Sequence, residues 1–219
     1  MCFSATASFV AGGMLGATGI VTMAQAKTKR ELPLASIPLL FGIQQTIEGV
    51  VWISFGLPAL NTIMTYAYLM FAYVLWPVFV PVAILLIENN PVRKNILRVL
   101  SLIGFVMGVY LLYFIFTDPG KAHIVNQSIA YDYRHLYPLL PLSLYVMVTC
   151  GSGLISSHRI INIFAAAVLA FFFIAYWFMN ITFISVWCFF AAILSVIIYW
   201  HFKRKSVAAR QVETGSVIN

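Results

Sequence analysis

Long apolar runs separated by short polar breaks dominate the chain. Seven of them, at roughly 4–25, 33–57, 62–87, 95–116, 137–157, 160–179 and 181–202, are each bounded by charges, Pro or Asn. Crossing a hydrocarbon core takes about 20 apolar residues of helix. Runs this long and continuous are unlike the short segments of alternating polarity that build membrane barrels. The pattern predicts an all-α, polytopic seven-transmembrane-helix bundle. It forms one domain over 1–202, followed by a basic tail, 203–219, predicted to be disordered.

Composition narrows the class further. The 219 residues are 62% hydrophobic and 9% charged, with a mean hydropathy of +0.95, whereas a soluble domain is about 25% charged. A water-soluble fold is excluded on that ground, and the expected partner is the lipid bilayer. Net charge is +7, and its distribution reports orientation rather than nucleic acid. Lys27, Lys29 and Arg30 fill the first break, Arg93, Lys94 and Arg98 lie at the third, and Arg159 is at the fifth. Lys203, Arg204, Lys205 and Arg210 occupy the tail. The opposite side holds Lys121 and Arg134 alone. The rule that basic loops stay cytoplasmic then puts the N-terminus out and the C-terminus in. The opening MCFSATASF lacks a basic segment ahead of its apolar run and reads as a retained first helix. Cys2, Cys150 and Cys188 are odd in number and unrelated in spacing, which fits neither a disulfide framework nor a zinc motif.

Several features read as packing. Gly12 with Gly16, and Gly104 with Gly108, have the small-residue spacing that lets membrane helices approach closely. Pro77 and Pro81 should kink the third helix and release backbone carbonyls. The exterior connection from Asp118 to Pro138 is rich in titratable and hydrogen-bonding groups. It is either a lid over the bundle or a solvated spacer.

The candidate chemistry sits in the second run. There Gln44, Gln45, Glu48 and Trp52 interrupt an apolar stretch, and Glu48 is the one carboxylate in any predicted membrane interior. A charged carboxylate at that depth costs roughly 2.5–3.5 kcal/mol on insertion scales, so its side chain must face protein or water and find a partner. Gln44, Glu48 and Trp52 are spaced i, i+4, i+8 and share one helical face, with Gln45 adjacent. The functional reading is a ligand anchor or proton carrier; the structural one is a polar cluster that ties helices together. By depth, Ser4, Ser8, Tyr66, Tyr73, Trp76, Arg134, His135, Tyr145, Ser185, Trp187 and Cys188 are its possible neighbours. If they converge, an outward-opening pocket with aromatic walls and one acid would suit a cationic or amphipathic small molecule. Arg134 could instead be the counter-ion of Glu48. The ligand-binding set is therefore Gln44, Gln45, Glu48, Trp52, Tyr73, Trp76, Arg134, His135 and Trp187.

Other chemistries lack their residues. A retinal protein needs a membrane-embedded lysine, and every Lys lies in a loop or the tail. No histidine or carboxylate spacing resembles a metal site, and no cofactor is expected. His158 and His201, at the cytoplasmic ends, read as surface groups. A membrane-embedded enzyme acting on a lipid or periplasmic small molecule, with Glu48 or His135 as general acid or base, is one rival reading. A sensor or structural subunit is another.

In the opening MCFSATASF and the segments QQTIEGVVW, WPVFVP and SVWCFFAA, the chain resembles an uncharacterised family of bacterial multi-pass membrane proteins known as a domain of unknown function. The resemblance covers nearly the whole chain. It implies a bacterial inner membrane and supplies no activity, substrate or catalytic residue.

Overall fold

The apolar runs do become helices, and the polar residues between them stop each one. The computed structural model describes residues 4–118, 120–125, 127–132, 138–178 and 181–204. Helix α1, Ala5–Ala24, starts on Ser4, whose hydroxyl accepts the Ala7 N–H at 3.2 Å. The second run is not one helix: a turn at Leu32–Ala35 precedes α2, Ile37–Ile53. Pro38 in the first turn of α2 has no N–H to continue the earlier turn, which places the break at Ser36. Helix α3 spans Pro58–Ile87, and Asn90 with Pro91 opens α4, Pro91–Thr117. The Asn90 side chain accepts the N–H groups of Val92 and Arg93, a complete N-cap. Then come α5, Leu139–Ile155, α6, Arg159–Phe178, and α7, Phe183–Arg204. The last helix thus runs two residues past the predicted boundary, and residues 205–219 of the expected tail lie outside the described residues.

Among the described residues, five helices are long and apolar enough to cross a membrane: α1, α3, α4, α6 and α7. Helices α2 and α5 are apolar but shorter. Each helix packs on its successor, and α7 returns to α2 and α1, so the bundle closes on itself.

Between α1 and α2 the backbones nearly touch. A Cβ on Gly12 would sit 2.5 Å from Thr46 Oγ1, and one on Gly42 would sit 2.7 Å from Gly16 N. The predicted close approach at Gly12 and Gly16 is therefore an intramolecular seam, completed by Gly42 from the facing helix.

The prolines of α3 act as expected, with a specific geometry. Met70–Leu75 winds as π-helix just ahead of Pro77, and the Trp76 N–H reaches back five residues to Phe71 O. In that register the next donor would bond Ala72 O, but it is Pro77 and has no N–H. The Tyr145 hydroxyl of α5 takes that place and donates to Ala72 O. One turn on, Pro81 leaves Pro77 O without its helical donor, and Gly104 of α4 lies against this oxygen so closely that a Cβ there would overlap it.

The connection after α4 carries an antiparallel hairpin, β1 Ala122–Val125 and β2 Ser128–Tyr131, the one departure from an all-α chain among the described residues. Every residue of β2 is buried. Tyr131 stacks on Tyr68 of α3 with ring centroids 4.4 Å apart, and β2 also packs on α7. Of the two readings of this connection, a cover seated on the end of the bundle matches the described part.

Candidate functional site

Glu48 is fully buried, as are Gln44 and Gln45. The polar face of α2 turns inward because the opposite face carries Ile43 and Ile53, both exposed at the bundle surface. The Ser185 hydroxyl of α7 donates to Glu48 Oε1 at 2.6 Å. Gln45 Nε2 approaches Glu48 Oε2 at a long 3.4 Å. Gln44, one turn earlier, accepts the indole N–H of Trp76 from α3 at 2.8 Å. Phe41 stacks on that indole with centroids 4.0 Å apart, and the Cys188 thiol lies beside the Gln44 and Tyr68 side chains. The cluster therefore joins α2, α3 and α7 through side chains remote in sequence.

The hydrogen bonding around it is incomplete. Gln45 Oε1 and Trp52 Nε1 are buried without a hydrogen-bond partner among the described residues. Trp52, half-buried, meets Phe55 edge-on at 6.4 Å. Buried polar atoms are almost always paired with protein or ordered water, so each such atom has to be accounted for.

The other expected residues divide. Tyr73 is fully buried in the π-helical segment. Trp187 is buried, but its indole N–H goes to Val168 O of α6 at 2.9 Å, and its ring packs edge-on against Tyr145 at 5.8 Å. It belongs to an aromatic group beside the Glu48 cluster. Arg134 and His135 lie outside the described residues. Ser185, placed near Glu48 by depth alone, donates a hydrogen bond to it. Tyr68 was missed, since one tyrosine among several in an apolar run carries no sequence signal of its own.

Next to the cluster is a cavity of about 50 Å³ lined by Phe41, Trp76, Tyr145, Trp187 and Cys188, among others. A water needs about 10–15 Å³ measured this way, so the space suits a few waters. Drug-sized ligands occupy about 300–1,000 Å³. Glu48 is not part of its lining.

A second carboxylate, which sequence reasoning passed over, is anchored at the basic end of the bundle. Glu88, the residue after α3, is fully buried. Its Oε1 accepts the N–H groups of Asn89 and Asn90 at 2.9 and 3.0 Å and the Ser157 hydroxyl at 2.7 Å, and Oε2 accepts the Ser157 N–H at 2.7 Å. Burial by itself raises this carboxyl. The Ser157 hydroxyl and the three backbone donors outweigh it and hold the group at about 2, below its ordinary 4.5. The bonds pin the α3–α4 turn to the α5–α6 turn. The sequence ENNP was a legible helix stop and restart, but nothing in it indicated Ser157 as partner.

The family described as "Family of unknown function (DUF6629)" matches residues 1–213. No curated protein and no solved structure match the chain.

Proposed function

Since the chain belongs to this family of unknown function, its own geometry has to suggest the activity, and we propose that it is a multi-pass membrane protein whose Glu48 cluster binds or moves a proton or small polar molecule. The proposal includes seven crossings, the N-terminus outside and the C-terminus inside, in a bacterial inner membrane. Residues 1–202 form the one domain. Five long apolar helices support membrane insertion, and the concentration of Lys and Arg at one end of the chain's alternating loops supports the orientation. Helices α2 and α5 complete the count if their neighbouring turns and the local bilayer make up their length.

The observation that carries the reading is the incomplete polar face of α2. On the helix that carries this enclosed carboxylate, Gln45 Oε1 and Trp52 Nε1 are buried without a hydrogen-bond partner among the described residues, which leaves capacity for one more polar species beside it. The small adjoining cavity favours a proton with water, or a ligand of a few atoms, over a bulky substrate.

A specific observation also favours a second reading. Ser185 to Glu48 and Trp76 to Gln44 tie three helices together, so the cluster could act as a structural clasp. The two separate experimentally. In proteoliposomes loaded with a pH-sensitive dye, the wild-type protein conducts protons under an imposed gradient, and Glu48→Gln, which keeps shape and hydrogen-bonding capacity, lowers the rate at least tenfold while melting unchanged. Equal rates, with Glu48→Leu unfolding the protein, would leave the clasp.

A further inference from the structure

At the basic end of the bundle, four stretches remote in sequence meet around a polar cavity of about 160 Å³. The α1–α2 connection contributes Thr28, Arg30 and Glu31, the α3–α4 turn Asn89, the α5–α6 turn His158, and the last turns of α7 His201. Leu34 and Phe202, both buried, form apolar wall. The histidines, expected as separate surface groups, are half-buried and face each other edge-on with centroids 5.5 Å apart. His158 is set in place twice over: its N–H bonds Ser156 Oγ at 3.2 Å, and its Nε2 lies 3.4 Å from Ile87 O. The Glu88 clamp fixes the same two turns.

We infer that this cavity binds a phosphate group. Its donors are of the kind phosphate uses: a guanidinium able to bond in pairs, two imidazoles, a hydroxyl and a carboxamide. Its one carboxylate, Glu31, is already engaged, with Oε2 accepting the Lys27 N–H at 2.8 Å. A resident metal ion is the less apt occupant, because among the described residues no three His, Cys, Asp or Glu side chains are grouped to hold one. The volume is close to the roughly 150 Å³ of a cavity that takes benzene, enough for a phosphate group with a water. Leu86, 38% exposed on the outer surface of α3, also lines the space, so the cavity borders the face that lipid would cover. Free phosphate and an anionic phospholipid headgroup offer the same chemistry, and basic pockets between helix ends on the cytoplasmic side suit headgroups. The inference is independent of Glu48.

The full-length protein in nanodiscs of zwitterionic lipid is melted while inorganic phosphate is titrated at constant ionic strength, and again in discs containing anionic phospholipid. A bound ligand raises the melting midpoint by mass action. The site is supported when either probe raises the midpoint and Arg30→Gln with His201→Gln weakens the apparent affinity at least tenfold. A rise with inorganic phosphate identifies the free ion as sufficient, and a rise confined to anionic discs identifies the headgroup. Should the double variant fail to fold, Asn89→Ala and Thr28→Val are measured instead, with an expected three- to tenfold loss, and Glu48→Gln serves as a variant that keeps the response. No rise with either probe, or equal rises in wild type and cavity variants, overturns the site.

Discussion

At the scale of single residues, two of the buried carboxylates, Glu88 and Glu48, show how environment decides what a side chain does. Glu88 has four hydrogen-bond donors and nothing left to offer, which is the arrangement of an anchor. Its carboxyl sits at about 2 in the folded protein against 4.5 ordinarily, so folding favours the ionised form. That contribution is fully present above about pH 4.5 and is lost as pH falls toward 2. The bound carboxylate contributes about 1–2 kcal/mol once screening at the water-facing helix ends is allowed for. Thermal melts of wild type and Glu88→Gln across pH should show a constant wild-type advantage above pH 5 that narrows steadily below it; a gap independent of pH would contradict the assignment. Glu48 is the contrasting case, enclosed as fully but on a helix whose Gln45 Oε1 and Trp52 Nε1 are buried without a hydrogen-bond partner among the described residues.

At the scale of elements, proline and glycine explain each other across the α3–α4 and α3–α5 contacts. Pro77 and Pro81 release carbonyls, and each release has a named answer: the Tyr145 hydroxyl on Ala72 O, and the bare backbone of Gly104 against Pro77 O. Gly104→Val should therefore abolish or severely reduce folded protein, since the contact is with backbone that cannot swing away. Gly13→Ala is the matched control, because nothing lies within 4 Å of a Cβ there, and helix propensity predicts a gain of roughly 0.5–1 kcal/mol. Size-exclusion profiles and melts in detergent decide both. Tyr145→Phe keeps the ring and removes the donor, with an expected loss of about 1 kcal/mol as the buried carbonyl goes unpaired. An unchanged midpoint would mean that the carbonyl finds another donor.

Much of this was legible because helix length, helix stops and the glycine seams are local: one stretch of chain is enough to read them. The Gln44, Gln45 and Glu48 cluster was legible for the same reason, as three polar residues interrupting an apolar face. What was not legible depends on packing. Nothing in SVWCFFAA says that Ser185 meets Glu48, and nothing near His158 says that His201 will face it. The hairpin was hidden because its strands are only four residues each, too short for a pattern to stand out in a polar connection, and Tyr131 is anchored by its stack on Tyr68.

At the scale of the whole molecule, the polarity is graded from one end to the other. A hairpin covers one end, a carboxylate cluster with a small cavity occupies the middle, and a wider polar cavity opens among basic residues at the other end. Helix α7 links the last two, carrying Ser185 to Glu48, Cys188 to the small cavity and His201 to the basic-end cavity. A protein built only for rigidity would gain nothing from unpartnered polar atoms at its centre, because each costs about 1–3 kcal/mol. The most direct test is a high-resolution structure of the protein in lipid, inspected around Glu48. The account predicts an ordered water or small ligand within hydrogen-bonding distance of Glu48 and of Gln45 or Trp52. Glu48, Gln45 and Trp52 contacted by protein atoms alone, with no other density at the cluster, would contradict it and leave a clasp between helices.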